Sequence, residues 1–209
     1  MGRAVWYFDV ISPFAYLNLV RFGELPGDLV IEYKPVLFAG LLNHWGQKGP
    51  AEIEGKRRWT YRSCQFWADT HGVPFRFPAA HPFNSLHHLR LILACGSRPE
   101  AVRKVFEQLW TTGGDPANQA AFTALAQSLG VDDIAALGAS DIKDALRRNT
   151  EEAAAAGVFG VPTFVVDGEL FWGNDGMELF KAWLAHPEVL ATAEMRRIDA
   201  LPVGASRKA

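Results

Sequence analysis

Ser12 stands in the stretch Phe8-Asp9-Val10-Ile11-Ser12-Pro13, where a short apolar run meets the opening of a helix. A chain of this general pattern often carries a reactive cysteine at that point. A serine there has a plainer use as a helix cap, its hydroxyl accepting from a backbone N–H one turn in, with Pro13 at the first helical position. Ser12 is not expected to act as a nucleophile, because no His/Asp pair accompanies it in the sequence. Two further stretches carry chemistry. In Val161-Pro162-Thr163 a proline directly precedes a strand. In trans it is an ordinary first-strand residue; held cis, it turns the carbonyl and N–H of Val161 toward a cleft, free to pair with an extended peptide. In Trp172-Gly173-Asn174-Asp175 a tight turn leads into a helix. Asn174 and Asp175 either cap that helix or, with its N–H groups, offer an acceptor for an ammonium and donors for a carboxylate, the two ends of one amino-acid head group.

Other clusters are weaker. The basic run Gly55-Lys56-Arg57-Arg58-Trp59-Thr60-Tyr61-Arg62 reads as a solvated helix face with Trp59 turned inward; the competing reading is that Lys56 or Arg57 attracts an acidic substrate. His81, His87 and His88 lack the spacing and carboxylate partners of a metal site, so capping or cleft lining is expected and no metal is assigned. Gly113-Gly114 is a helix break, since no Lys-Ser/Thr follows. Cys64 and Cys95 form no CxxC pair and read as buried, reduced packing residues.

The elements that must position these residues follow from periodicity. Ala4 to Val10 reads as a buried strand, Pro13 to about Phe22 as a helix and Leu29 to Val36 as a second strand, the start of a right-handed βαβ unit. From about Ala51 to Ala156 the pattern is helical, with helices expected near 52–71, 84–96, 99–113, 116–129 and 139–156. Their starts are set at Asn84, Arg98-Pro99, Asp115-Pro116 and Ser140, and their stops at glycines. Thr163 to Val166, the Asp167-Gly168 turn and Glu169 to Trp172 spell a β-hairpin, followed by a helix from Gly176 to Ala185. This order predicts an α/β thioredoxin-like fold with a large all-helical insertion. The expected organisation is a thioredoxin-like domain over 1–48 and 157–190, an inserted helical domain over 49–156 and a loosely ordered tail over 191–209.

With 209 residues, 49% of them apolar, and a net charge of −2, the chain affords a substantial core and lacks the basic excess expected of a nucleic-acid binder. No run approaches the roughly 18 apolar residues of a membrane span, and Asp9 and Pro13 interrupt the N-terminal apolar run, so no signal peptide is read and a cytoplasmic protein is expected.

Together and in this order, "FDVISPFAYL", "FGVPTF" and "WGND" resemble the 2-hydroxychromene-2-carboxylate isomerases, relatives of the kappa-class glutathione transferases in the DsbA-like branch of the thioredoxin fold. The resemblance spans about residues 4–185. It implies glutathione as cofactor, Ser12 beside its thiol, Val161 ahead of the cis-proline Pro162 pairing with its cysteinyl backbone, and Trp172, Gly173, Asn174 and Asp175 holding its γ-glutamyl head. The implied partner is a small aromatic electrophile in the catabolism of aromatic compounds, and homodimers are common among relatives. Two positions depart from the family pattern. The lysine expected after the second strand is replaced by Leu41-Leu42-Asn43-His44, with Lys48 later, and a tyrosine expected after Phe77-Pro78 gives way to His81, Pro82 and Phe83. Asn43, His81 and Asn84 are therefore the expected substrate contacts. The alternatives are a kappa-like transferase, and a DsbA-like oxidoreductase or peptide-binding protein without catalytic cysteines.

Overall fold

Ala4, Trp6 and Phe8 alternate along β1 (Arg3–Phe8) and are fully buried, which puts this strand at the centre of the sheet. The computed structural model describes residues 2–205. β1 runs parallel to β2 (Val30–Pro35), and α1 (Pro13–Leu19) makes the crossover between them. On its other edge β1 pairs antiparallel with β3 (Thr163–Val166), which turns through Asp167-Gly168 into β4 (Glu169–Trp172), giving the order β2-β1-β3-β4. The register sets Trp6 opposite both Tyr33 and Phe164, so one face of the sheet is an aromatic layer. Trp6 stacks on Phe8 with centroids 4.3 Å apart, and Phe164 stacks on Phe180 at 4.4 Å.

Between β2 and β3 the chain is helical: α2 (Phe38–Trp45), α3 (Glu54–Thr70), α4 (Leu86–Ala94), α5 (Pro99–Thr111), α6 (Gln119–Ser128) and α7 (Ser140–Ala155). After the hairpin come α8 (Gly176–Ala185) and α9 (Ala193–Asp199). This is the expected thioredoxin-like sheet with a helical insertion. α5 shows the clearest logic, burying Ala101, Val102, Val105, Phe106, Leu109 and Trp110 at three- and four-residue spacings against α1 and α4.

Several local expectations are corrected. α1 ends at Leu19, short of Phe22, because the chain tightens into a 3-10 turn over Phe22–Glu24. α4 begins at Leu86; Asn84 instead accepts from the Leu86 N–H at 3.1 Å in a turn ahead of the helix. α6 begins after Asn118, whose side chain accepts from Ala121 N–H, while Asp115 serves only the preceding turn. Ser140 is, as expected, the start of α7, with Ala139 at the N-cap. Trp59 is 73% exposed and does not pack inward. Part of the tail is ordered as α9, capped by Thr192 accepting from Met195 N–H; residues 206–209 of the expected tail lie outside the described residues. Among the described residues no helix is long and apolar enough to cross a membrane.

Two indoles tie α1 and its approach to the core. Trp6 Nε1 donates to Asn18 Oδ1 and Trp110 Nε1 donates to the Val10 carbonyl, both at 2.9 Å and both buried. Trp110→Phe removes the second bond, leaving the Val10 carbonyl without its donor and a void beside it. We expect this substitution to lower unfolding stability by about 2–4 kcal/mol in urea titration. The exposed Trp59→Phe is expected to change it by about 0.5 kcal/mol or less.

Candidate active site

The turn from β1 into α1 carries Ser12, and its backbone is held on every side. Asp9 Oδ1 accepts from Ile11 N–H at 3.0 Å, and the Asp9 carbonyl accepts from Ser12 N–H at 3.0 Å. Val10 O is held by Trp110, and Ile11 O accepts from His81 Nε2 at 2.8 Å. Asp9 Oδ2 reaches across to accept from Phe38 N–H at 2.9 Å, tying the turn to the start of α2. Ser12 is the N-cap of α1: its Oγ accepts from Ala15 N–H at 3.3 Å and donates to the Val161 carbonyl at 3.3 Å. Ser12 and Val161 thus meet, each 7% exposed, although 149 residues separate them. The Val161–Pro162 bond is cis. The Val161 carbonyl is therefore engaged by Ser12, whereas its N–H has no acceptor among the described residues.

Two cavities open from this junction, with Phe14, Val161 and Trp172 lining both. The first, about 780 Å³, is walled by α1, α3 and the turn into α8, including Arg21, Trp67, Gly173, Asn174 and Asp175. Asn174 is 7% exposed and its Oδ1 is buried without a hydrogen-bond partner, so the side chain is not the expected cap; Asp175 occupies the N-cap position, also without a side-chain bond. Gly173 is required there: its φ is +86°, and a Cβ would lie 2.5 Å from Asp175 Oδ1. Arg21 holds the turn from outside by donating to the Asn174 carbonyl at 3.0 Å, and is itself paired with Glu24 and Glu178. Glu24 is held near 2, well below the usual carboxylate range, chiefly by its hydrogen bond from Arg21.

The second cavity, about 680 Å³, has mostly apolar walls and contains Ser12, with Ile11, Pro13, Leu37, Phe38, Leu42 and Phe83 around it. Its polar groups include Asp9, Tyr61, His81 and Asn84, with Lys48, Glu52 and Lys56 among the charged ones. One cavity therefore offers polar groups suited to an amino-acid head, and the other an apolar space suited to a flat hydrophobic molecule.

The expected site residues Ser12, Val161 and Trp172 border the second cavity, and Val161, Trp172, Gly173, Asn174 and Asp175 the first; Pro162 lies behind them, its carbonyl accepting from Gly173 N–H at 2.8 Å. His81 and Asn84 also line the second cavity. Asn43 is the exception: the helical turn of α2 carries Leu42 toward the cavity and leaves Asn43 exposed, off either wall. Sequence reasoning missed Asp9 and Tyr61. An acidic residue ending an apolar strand, four residues before a proline, was the available signal for Asp9.

Asp9 is 1% exposed, and its pKa is raised from 3.8 to about 6 by burial, against the N–H donors that favour its charged form. The folded chain therefore holds this proton more tightly than the unfolded one, and the cost of ionising Asp9 grows as pH rises from about 4 to 6. Asp9→Asn cannot ionise. Its stability relative to the parent is expected to improve by up to about 3 kcal/mol between pH 4 and pH 7, read by denaturant titration across that range. A difference that stays flat with pH would show that the N–H donors, rather than burial, set the Asp9 charge.

Residues 4–185 match the family model of the DSBA-like thioredoxin domain. The chain is 30% identical over 187 residues to a 2-hydroxychromene-2-carboxylate isomerase of Sphingobium xenophagum, covering 86% of this chain and 96% of that one. It is 26% identical over 205 residues to glutathione S-transferase kappa 2 of Caenorhabditis elegans, covering 87% and 91%. Among solved structures, a selenomethionine 2-hydroxychromene-2-carboxylate isomerase superposes with a TM-score of 0.79 at 25% identity, covering 96% of this chain and all of that one. Matched along most of its length by sequence and by fold, this chain belongs to the 2-hydroxychromene-2-carboxylate isomerase family of DSBA-like thioredoxin-fold enzymes, to which the kappa-class glutathione transferases are related.

Proposed function

We propose that the protein is a glutathione-dependent isomerase of the 2-hydroxychromene-2-carboxylate type. The observation that carries this reading is the pair of unlike cavities meeting at Ser12 and Val161, with an unpartnered, buried Asn174 Oδ1 at the far end of the polar one. A buried acceptor without a donor is costly unless a ligand satisfies it. The γ-glutamyl ammonium of glutathione is such a donor, and Asp175 adds charge of the right sign. The N–H groups opening α8 suit the accompanying carboxylate. The free N–H of Val161 suits a peptide carbonyl in the middle of the tripeptide.

When bound, glutathione supplies a thiolate that adds reversibly to a conjugated aromatic keto acid. A thiol titrates ordinarily near 8.5, so the chain's task is to favour its anion. Ser12 does so by moving its hydroxyl donation from the Val161 carbonyl, a long bond at 3.3 Å, to the sulfur. The apolar walls of the second cavity exclude water from the reacting bond and hold a flat ring. Trp172 stands at the border of both spaces. The buried, free Cys64 and Cys95 accord with a reducing cytoplasm, and the reading takes the enzyme as a cytoplasmic homodimer. A kappa-like transferase, keeping the thioether it forms, is the second reading, supported by the kappa-class relatives. A disulfide oxidoreductase is disfavoured, because neither Ser12 nor Ala15 supplies the thiolate such exchange needs.

Ser12→Ala is expected to retain the fold, losing about 1 kcal/mol with the cap, while glutathione-dependent turnover of a 2-hydroxychromene-2-carboxylate falls about 10- to 100-fold. Turnover by the parent protein in the absence of glutathione would defeat the cofactor assignment. Asn174→Ala is expected to weaken glutathione binding about tenfold by calorimetry, without a matching loss for a thiol that lacks the γ-glutamyl head.

A further inference from the structure

Tyr61 and His81 face the second cavity from different elements, α3 and the loop before α4, and their side chains form a closed hydrogen-bond circuit. His81 Nε2 lies 2.8 Å from the Ile11 carbonyl, which can only accept, so Nε2 carries a hydrogen in every state. Tyr61 Oη lies 2.6 Å from His81 Nδ1 and 2.8 Å from the His81 carbonyl. With the imidazole neutral, Nδ1 is an acceptor and takes the Tyr61 O–H bond. With the imidazole protonated, Nδ1 becomes a donor to Oη, and the Tyr61 hydroxyl turns to the His81 carbonyl. Both protonation states thus leave every donor satisfied, which a histidine with a single fixed partner does not achieve.

We infer that this pair is a proton relay for a hydroxyl of the electrophile: Tyr61 touches it as the catalytic group, and His81, acting through Tyr61, stores the proton. In the neutral state a lone pair of Oη is free for the ligand hydroxyl. The ligand O–H bond breaks and its proton passes to Oη; the original Tyr61 proton passes to Nδ1; the ligand is left as an oxyanion and His81 as an imidazolium. The reverse transfer returns the proton when the isomer forms, so no oxidant or further reactant is consumed. Burial holds His81 below its usual pKa, partly offset by the Ile11 carbonyl, so the resting ring is the accepting form at neutral pH. Burial also raises the Tyr61 pKa, against Arg57, which keeps its hydroxyl protonated at rest. The other charged groups on this cavity are Asp9 from the end of β1, Lys48 and Glu52 from the segment before α3, and Lys56 on α3.

The inference rests on the isomerase reading for its substrate but can be tested apart from it. 4-Nitrophenol, whose phenolate absorbs at longer wavelength than the phenol, is titrated into the glutathione-free protein at slightly acid pH. In the parent protein the adjacent oxyanion offsets the burial that lowers the His81 pKa, so a share of the bound dye above that of the free dye is expected as phenolate, with the His81 ring proton resonances moving in proportion toward their imidazolium positions. In Tyr61→Phe and in His81→Gln, two small changes that keep the bulk of each side chain, the phenolate fraction is expected to fall at least tenfold. An equal phenolate fraction in parent and Tyr61→Phe, or no binding to the parent, overturns the relay. In turnover with glutathione, Tyr61→Phe is expected to lower kcat by about 100-fold or more with the glutathione KM unchanged, and His81→Gln to abolish the acid-side fall of the pH–rate profile. Should the parent show no glutathione-dependent turnover while the dye still ionises through Tyr61, the isomerase reading fails and the relay stands.

Discussion

The structure depends most on the pairing of the backbone between Asp9 and Ser12. Those few peptide groups are buried or half-buried, and a buried N–H or carbonyl without a partner costs more than a formed bond contributes. The two carbonyls find partners far along the chain, Val10 in Trp110 of α5 and Ile11 in His81, while the Ile11 and Ser12 N–H groups close locally on Asp9. Asp9 in turn takes the first N–H of α2. The helical insertion is therefore more than an ornament on a thioredoxin-like sheet. It supplies two of the groups that fix where the Ser12 hydroxyl points.

The same economy governs the two cavities. The polar one keeps Glu24 and Glu178 near the surface, where ion pairs contribute little to stability, but Arg21 is largely buried and donates one N–H to the Asn174 carbonyl. This fixes a turn whose other side faces inward with an unsatisfied amide oxygen. The apolar cavity does the opposite: Asp9, Tyr61, His81 and Asn84 are bound to one another or to backbone, so that part of its wall presents little that water would hold. A reacting pair brought together at their common border would leave solvent from both sides.

How much of this was legible in the sequence follows from how far each signal reaches along the chain. The hairpin was legible because Asp167-Gly168 and its flanking β-branched and aromatic residues are all local. Ser12, Val161 and the Trp172–Asp175 turn stood out because each sits at a boundary between elements. α2 was not read as a helix: Leu37 offers no cap, and Gly40 interrupts an already short pattern, so its formation rests on Asp9 and Thr150 receiving its first N–H groups. That omission misplaced Asn43. The circuit of Tyr61 with His81 was invisible for the same reason, since 20 residues and a change of element separate two groups whose meaning lies in a 2.6 Å contact.

The border shared by Phe14, Val161 and Trp172 has an evolutionary consequence. The polar cavity is drawn from α1, α3 and the turn into α8, whereas much of the apolar cavity comes from α2, the connection after it and the loop before α4. Substitutions in the second set can reshape the apolar space while the first set stays intact. Descent within such a fold can therefore diversify one cavity while inheriting the other, and relatives named as isomerases and as transferases on a common scaffold are what that division of labour would leave behind.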